Sequence, residues 1–575
     1  MPRWQTLQAA GHRRKLNGNQ AMTRSTLRSV LTALGWLAFA AACASPGPLD
    51  SPAKRFEGVN ACHLTVTTDS PEAQAWFDQG LTLMYGFNHE EAIRSFAEAT
   101  RLDPNCTMAY WGLAHASGTD LNNAWMSEDD KRRAYDAALA AVRTSGDKPP
   151  MEAALAYAIA TRFSWPPPTD RRELDEDYAA TMADVYARFP NDPNIAALYA
   201  ESLMLLQPWD YWTADGQPKG RIPDAVAALE SALRTEPEHA GASHFLIHAL
   251  EAGDPARAEA AADELANRVP GSGHLLHMPS HIYVHIGRYP DASDANQKAI
   301  IADTEYLEST ENPGFYLLYY AHNLHMLAYS AMMEGREDLA NEAAQQLIRD
   351  IPEHFIEENT SFIDGLMSTP LHVAVRFGRW NKILAEPQPP AYRKLSLAQW
   401  HYARGIALSA LGRPEAAAKE LAALERTAPT VPEGWRAGSN PASMVLELSQ
   451  AMLRGELLWR QGKAEEAFEV LREGVAKEDA MVYDEPPGWM QPVRHAYGAL
   501  LMADNRLKEA EDVYRLDLEH NPGNGWSLLG LEQALRAQGR HAEAQAIDSA
   551  LAMAWARADI QAESSCFCEP SNASS

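Results

Sequence analysis

A period of 34 residues limits this chain to one kind of fold. Residues 73–106, AQAWFDQGLTLMYGFNHEEAIRSFAEATRLDPNC, put Trp76, Gly80, Ala92, Phe96, Ala99 and Pro104 at positions 4, 8, 20, 24, 27 and 32 of that period. Small residues at 8, 20 and 27 let two antiparallel helices approach closely. Large ones at 4 and 24 fill the space between them, and the proline ends the second helix. One such hairpin can bury only one face, so it is stable only when stacked on copies of itself.

The spacing of twelve between a glycine of the first helix and an alanine of the second returns at Gly405 with Ala417, Gly455 with Ala467, Gly498 with Ala510, and Gly530 with Ala542. Turn glycines five residues before the alanine recur at Gly253, Gly287, Gly335 and Gly412. These marks place units near 73, 107, 239, 273, 321, 364, 398, 448, 491 and 523, with degenerate pairs between 149 and 206. The fold class they predict is all-α: a tetratricopeptide-type (TPR) helix-turn-helix solenoid, a right-handed superhelix over 73–558, with no strand pattern of note. Two stretches, 207–222 and 305–320, read as insertions. With 46% hydrophobic and 22% charged residues the chain has the content of a folded protein. One repeat array replaces the several domains its length would otherwise suggest.

The array is flanked by segments of another kind. Residues 1–42 read as a signal peptide, with a second start at Met22: MTRSTLRS, the apolar run VLTALGWLAFAAA, then Cys43. A basic start, a short apolar run and small residues mark export. The three alanines before Cys43 resemble a bacterial lipoprotein signal, in which that cysteine is lipidated, and Ala44 resembles the outer-membrane sorting class. The expectation is an outer-membrane lipoprotein facing the periplasm of a bacterial envelope, touching the membrane only through its lipid anchor. Residues 43–72 read as a linker and 559–575 as a flexible tail bearing Cys566 and Cys568, a pair suited to one soft metal or to a disulfide. Cys62 and Cys106 are either paired or free. The formal charge is −27, and −33 once residues 1–42 are removed. That repels phosphate backbones, so no nucleic acid is expected as a partner, and cations are favoured.

Histidine supplies the chemistry. On the first helix of a unit, positions 2, 5, 9 and 13 share one face, the inner surface of the array. His274, His277, His281 and His285 fill those four positions in the unit at 273. His322 and His325 take positions 2 and 5 of the unit at 321, His495 takes position 5 of the unit at 491, and His115 and His372 take position 9 of theirs. Next door, HFLIHALE sets His244, His248 and Glu251 on one face. Imidazoles three or four apart with a carboxylate nearby are the usual protein means of holding Cu, Zn or Fe. The stripe from His274 to His285 spans about 16 Å, so one ion can take only part of it. The candidate metal ligands are therefore His244, His248, Glu251, His274, His277, His281, His322 and His325. The other reading of this face is a peptide groove lined by hydrogen-bonding side chains. Pro279 is expected to break the helical ladder in the middle of the stripe. Asp484, Glu485, Arg494 and His495, around YDEPPGWMQPVR, are rim candidates together with His115 and His372. Nucleophile-elbow, zincin, phosphate-loop and dinucleotide motifs are all missing from the sequence.

The runs HLLHMPSHIYVHIGRYPDA, YYAHNLHMLAYSAMMEGR, YDEPPGWMQPVR and NPGNGWSLLGLEQALRAQGR, with the unit at 73, resemble a widespread family of exported bacterial TPR proteins from about residue 57 to the SCFC tail. The resemblance implies a helical solenoid in the cell envelope and no settled activity. Where members often read PHNLH this chain has AHNLH, which keeps His322 and His325. Where an arginine often follows HIYV it has His285. Two functions follow as expectations: a repeat protein binding a peptide or protein partner in its concave groove, or a metal-dependent enzyme, an oxidase or hydrolase, using the histidines.

Overall fold

The structure is a computed structural model that describes residues 49, 51–310 and 313–567. The signal sequence, Cys43 and Cys568 lie outside the described residues. Helical hairpins follow one another from Pro71 to Ala554, beginning with Pro71–Tyr85 and His89–Leu102 and ending with Gly525–Ala537 and His541–Ala554. This is the all-α, TPR-type architecture that the 34-residue period predicts. No helix of the described residues is long and apolar enough to cross a membrane.

The packing explains the residues that carry the period. Phe96 on the second helix of one hairpin sits between two glycines, one on its own first helix and one on the first helix of the next hairpin. A methyl group on Gly80 or Gly112 would lie 2.8 or 2.4 Å from the Phe96 ring. Tyr514 repeats the arrangement between Gly498 and Gly530, where the same test gives 2.5 and 2.2 Å. At these two joints one aromatic ring fastens a hairpin to the next, and glycine is needed because there is no room for a side chain; Leu471 against Gly455 and Leu453 against Gly405 fill the same kind of gap with a leucine.

In many of the hairpins, though not at Gly253, the turn between the two helices places its middle residue in the left-handed region. Gly287 with φ 80° and Gly335 with φ 71° are examples. Two hairpins depart from glycine there: Asn505 has φ 59° and Phe87 has φ 55°. Asparagine tolerates that region, whereas a bulky aromatic does so only under strain.

Pro279 divides the histidine-bearing helix into Gly273–His277 and Pro279–His285. The proline has no N–H to give, and the amide of His281 bonds Met278 instead, at 3.2 Å.

The array folds back on itself. Tyr85 packs its ring against His239 at 5.6 Å, and its hydroxyl donates to Asn194 Oδ1 at 3.2 Å, tying the first hairpin to the fourth and fifth. At the other end Trp526 Nε1 donates to the Met332 carbonyl at 2.9 Å, and Arg557 pairs with Asp294 at 2.7 Å. Both ends therefore close on the hairpins between residues 193 and 350, and the inner face there becomes interior.

Several segments differ from the sequence reading. Residues 51–70, read as linker, run along the first helix: the Cys62 amide donates to Thr82 Oγ1 at 3.1 Å and the Gly271 amide to the Gly58 carbonyl at 3.2 Å. Buried Val59, Leu64 and Val66 give this segment its own apolar contact. In the stretch 305–320, residues 305–309 and 316–320 are helical, because Tyr289–Ser309 runs into its start and Tyr316–Met333 begins before its end. Asp303 accepts from the Tyr316 hydroxyl at 2.7 Å and holds the two helices together. The described part of the tail, 559–567, also docks: Ser565 is buried, donates to the His495 carbonyl and meets the Tyr514 hydroxyl at 2.7 Å. A two-residue antiparallel pairing, Arg436–Ala437 with Asn440–Pro441, adds a small hairpin that periodicity did not reveal. Cys62 and Cys106 are free and buried, and Cys566 is disulfide-bonded.

Because Phe96 fills the joint between two hairpins, Phe96→Ala should cost about 3–5 kcal/mol of unfolding free energy. Urea titration followed by circular dichroism would check this, and a loss below about 1 kcal/mol would mean that the joint is held elsewhere.

Candidate metal centre

The helix Ala240–Leu250 is positioned at its start by His239. That ring accepts from the Ala242 amide through Nδ1 at 3.0 Å and meets Asn194 Oδ1 through Nε2 at 3.1 Å. The helix then presents His244 and His248 one turn apart, and Glu251 at its end. The broken helix of the next hairpin presents His274, His277 and His281, and Tyr316–Met333 presents His322. His244, His248, Glu251, His274, His277 and His281 are each at most 4% exposed.

Two groups of three histidines result. In the first, His244, His248 and His274 each place a ring nitrogen within 4.8 Å of the others. In the second, Nε2 of His277 lies 2.7 Å from Nε2 of His281 and 3.0 Å from Nε2 of His322. The far nitrogens decide what these contacts mean. His277 Nδ1 faces Asn296 Oδ1 at 2.6 Å, and that amide is oriented by its own NH2 donating to the Ala292 carbonyl, so Nδ1 carries the proton. His281 Nδ1 donates to Glu251 Oε2 at 2.8 Å and lies 2.5 Å from Glu485 Oε2. His248 Nδ1 donates to Glu251 Oε1 at 3.1 Å, and His244 Nδ1 to the Tyr85 carbonyl at 2.6 Å. A neutral imidazole protonated at Nδ1 has its lone pair at Nε2. Four rings are thus fixed with their lone-pair nitrogens turned inward, by carboxylate and carbonyl partners of the kind that orient metal-bound histidines elsewhere.

Electrostatics calls for positive charge at the same place. Burial alone disfavours the charged forms of Glu251 and Glu485, yet the imidazoles beside them hold both carboxyl groups below the ordinary range. Burial also opposes charge on His281, but Glu485 and Glu251 outweigh it and push its pKa up to about 10. Without an ion, a second proton on His281 serves as the cation. Its neighbours stay neutral: burial and the adjacent imidazoles hold His244, His274 and His277 well below the usual histidine value, and His322 at about 3.

The other sequence candidates are placed apart from this convergence. His325 is in neither group of three, and burial lowers its pKa to about 3. His372 stands edge-on to Trp489 at 5.4 Å. His115 Nε2 lies 3.1 Å from Glu201 Oε2 in a separate buried pair. Asp484 accepts from the Ser439 amide at 3.0 Å and supports the small hairpin. Arg494 pairs with Asp479 at 2.7 Å, and His495 is set between Asp517 at 2.9 Å and Arg376 at 2.6 Å. Of the rim candidates, Glu485 joins the centre, where it also meets His285 at 2.5 Å.

Sequence reasoning missed the walls. Phe87, the strained turn residue, packs on His244 at 4.5 Å, on His274 at 5.2 Å and on His248 at 5.9 Å between ring centres. Trp209, from the 207–222 insertion, also has positive φ, 64°, and stands edge-on to His248 at 5.4 Å. Tyr319 covers His274 at 4.7 Å. Neither Phe87 nor Trp209 is near the histidines in sequence, and only an aromatic at a turn position usually given to glycine could have drawn attention to Phe87.

Residues 73–106 match the family of the tetratricopeptide repeat. No curated protein matches the chain. Among solved structures, the human IFIT1 dimer with PPP-AAAA is 14% identical with a TM-score of 0.31, over 84% of this chain and 92% of that one. The APC/C hetero-tetramer Cut9-Hcn1 is 12% identical with a TM-score of 0.28, over 85% of this chain and 76% of that one.

Burial lowers the His239 pKa to about 4, against about 6.5 in the unfolded chain. The unfolded state therefore takes up a proton that the folded state refuses, and this residue costs stability as the pH falls from about 6.5 towards 4. Asparagine keeps the capping acceptor without the titration. The stability of His239→Asn relative to the parent should improve by about 2 kcal/mol between pH 7 and pH 5, measured by denaturant titration. An unchanged difference would mean that His239 is not buried neutral.

Proposed function

We propose that the array is the scaffold of a transition-metal centre. The observation that carries this reading is the convergence of Nε2 from His277, His281 and His322, with protons held on the far side of His277 and His281. Lone pairs facing one another at such distances repel unless a proton or a metal ion lies between them. An imidazole set without thiolate suits Zn, Cu or Fe. Three protein ligands are one short of the closed four of structural zinc sites and leave a position for water or substrate, as catalytic sites do. The chemistry that fits is metal-assisted hydrolysis or oxidation, and His322 and His285, the half-exposed members of the cluster, mark the side from which a small molecule arrives.

The repeat architecture also supports a role in binding a protein or peptide, since stacked hairpins offer extended surfaces. The histidine-bearing face is closed by the array's own ends, so such a partner would bind outside it. The segment from Met22 to Cys43 supports export and anchoring in a bacterial envelope.

Metal analysis of the chain made without an affinity tag tests the centre. After loading with Cu, Zn or Fe and exhaustive dialysis, a tightly held ion is expected, at least tenfold more weakly bound in His277→Ala/His281→Ala. No retained metal, or equal retention by the variant, would overturn the reading. For the location, the parent chain should sediment with outer membranes and Cys43→Ser should be released to the soluble fraction. Equal distribution of the two would remove the lipid anchor.

A further inference from the structure

We infer that His244, His248 and His274 hold a second metal ion, coupled through Glu251 to the one at His277, His281 and His322. This rests on the metal-centre reading and deepens it. The two triads form separate groups, each with its own convergent nitrogens. In the first triad Nε2 of His244 and Nε2 of His274 are 3.1 Å apart, while Nε2 of His248 and Nδ1 of His274 have no hydrogen-bond partner among the described residues. All three rings are at least 97% buried. Among the described residues, one proton shared between His244 and His274 is all that is supplied to these inward nitrogens, and it leaves Nε2 of His248 unanswered. A cation accepting one nitrogen from each ring answers all three.

Glu251 is what makes the two sites one centre. Its Oε1 takes the Nδ1 proton of His248 and its Oε2 that of His281, so a single carboxylate orients one ligand in each triad. An ion entering either site draws electron density from its histidine and strengthens the hydrogen bond to that carboxylate.

The walls point the same way. Phe87 and Trp209 are the two aromatic residues of the described chain with positive φ, and both pack on the rings of this triad. Backbone strain kept at two places around one cluster of buried imidazoles is strain retained for that cluster. Phe87, 4% exposed, closes one side of these imidazoles.

Zinc is the probe. The tag-free full chain is stripped with chelator, checked for fold by circular dichroism, and titrated with Zn(II) by equilibrium dialysis and elemental analysis. Two ions per chain are expected. His244→Ala/His274→Ala should keep one, and so should His277→Ala/His322→Ala. Glu251→Gln should weaken both sites by about 10–100-fold. If the first double variant does not fold, His248→Gln replaces it and should lower the occupancy of one site only. One ion per chain in the parent, or two that persist without His244 and His274, overturns the inference and leaves the metal-centre reading standing. No bound ion overturns both.

Discussion

The carboxylate of Glu251 is the constraint around which the inner face is arranged. A carboxylate 2% exposed is costly unless its charge is met, and it is met by two imidazole N–H groups from helices of successive hairpins. Those bonds set the tautomers of His248 and His281, and the tautomers set where the ligand nitrogens point. Glu485 adds a second buried carboxylate to His281 from about two hundred residues away in the chain. Two negative charges and a ring of lone pairs in one dry volume form a cation site by their own arithmetic, whether a proton or a metal ion occupies it.

Closure of the array makes that volume dry. A repeat stack that stays open exposes its inner helices to water, where histidines titrate near their ordinary value. Here the first hairpin, with Tyr85 and Phe87, and the turn carrying Glu485 are drawn onto the middle hairpins. The docked segments at residues 51–70 and 559–567 strengthen the closure. The scaffold is thus a repeat array in its local packing and an enclosure in its tertiary contacts.

Much of the local structure was legible in the sequence because it depends on residues a fixed distance apart. Gly80, Ala92 and Phe96 report their own hairpin, and the stripe from His274 to His281 lies on one face because helical spacing places it there. Pro279 announced the break. The packed paths of the linker and tail were not legible, since they depend on contacts such as Cys62 with Thr82 and Ser565 with Tyr514, for which periodicity carries no signal. The same holds within the site. The sequence could pool His244, His248, Glu251 and the stripe, but could not divide them into triads, because the division depends on the register between successive hairpins. Glu485 was a rim candidate beside Asp484, and only the closure brought it to His281.

X-ray absorption at the metal edge of the loaded chain tests the central claim most directly, because it reports the atoms around the ion without a crystal. The account predicts nitrogen scatterers at about 2.0–2.1 Å, with the outer-shell pattern of three imidazole rings per ion. A first shell of oxygen alone, or one containing sulfur, would contradict it.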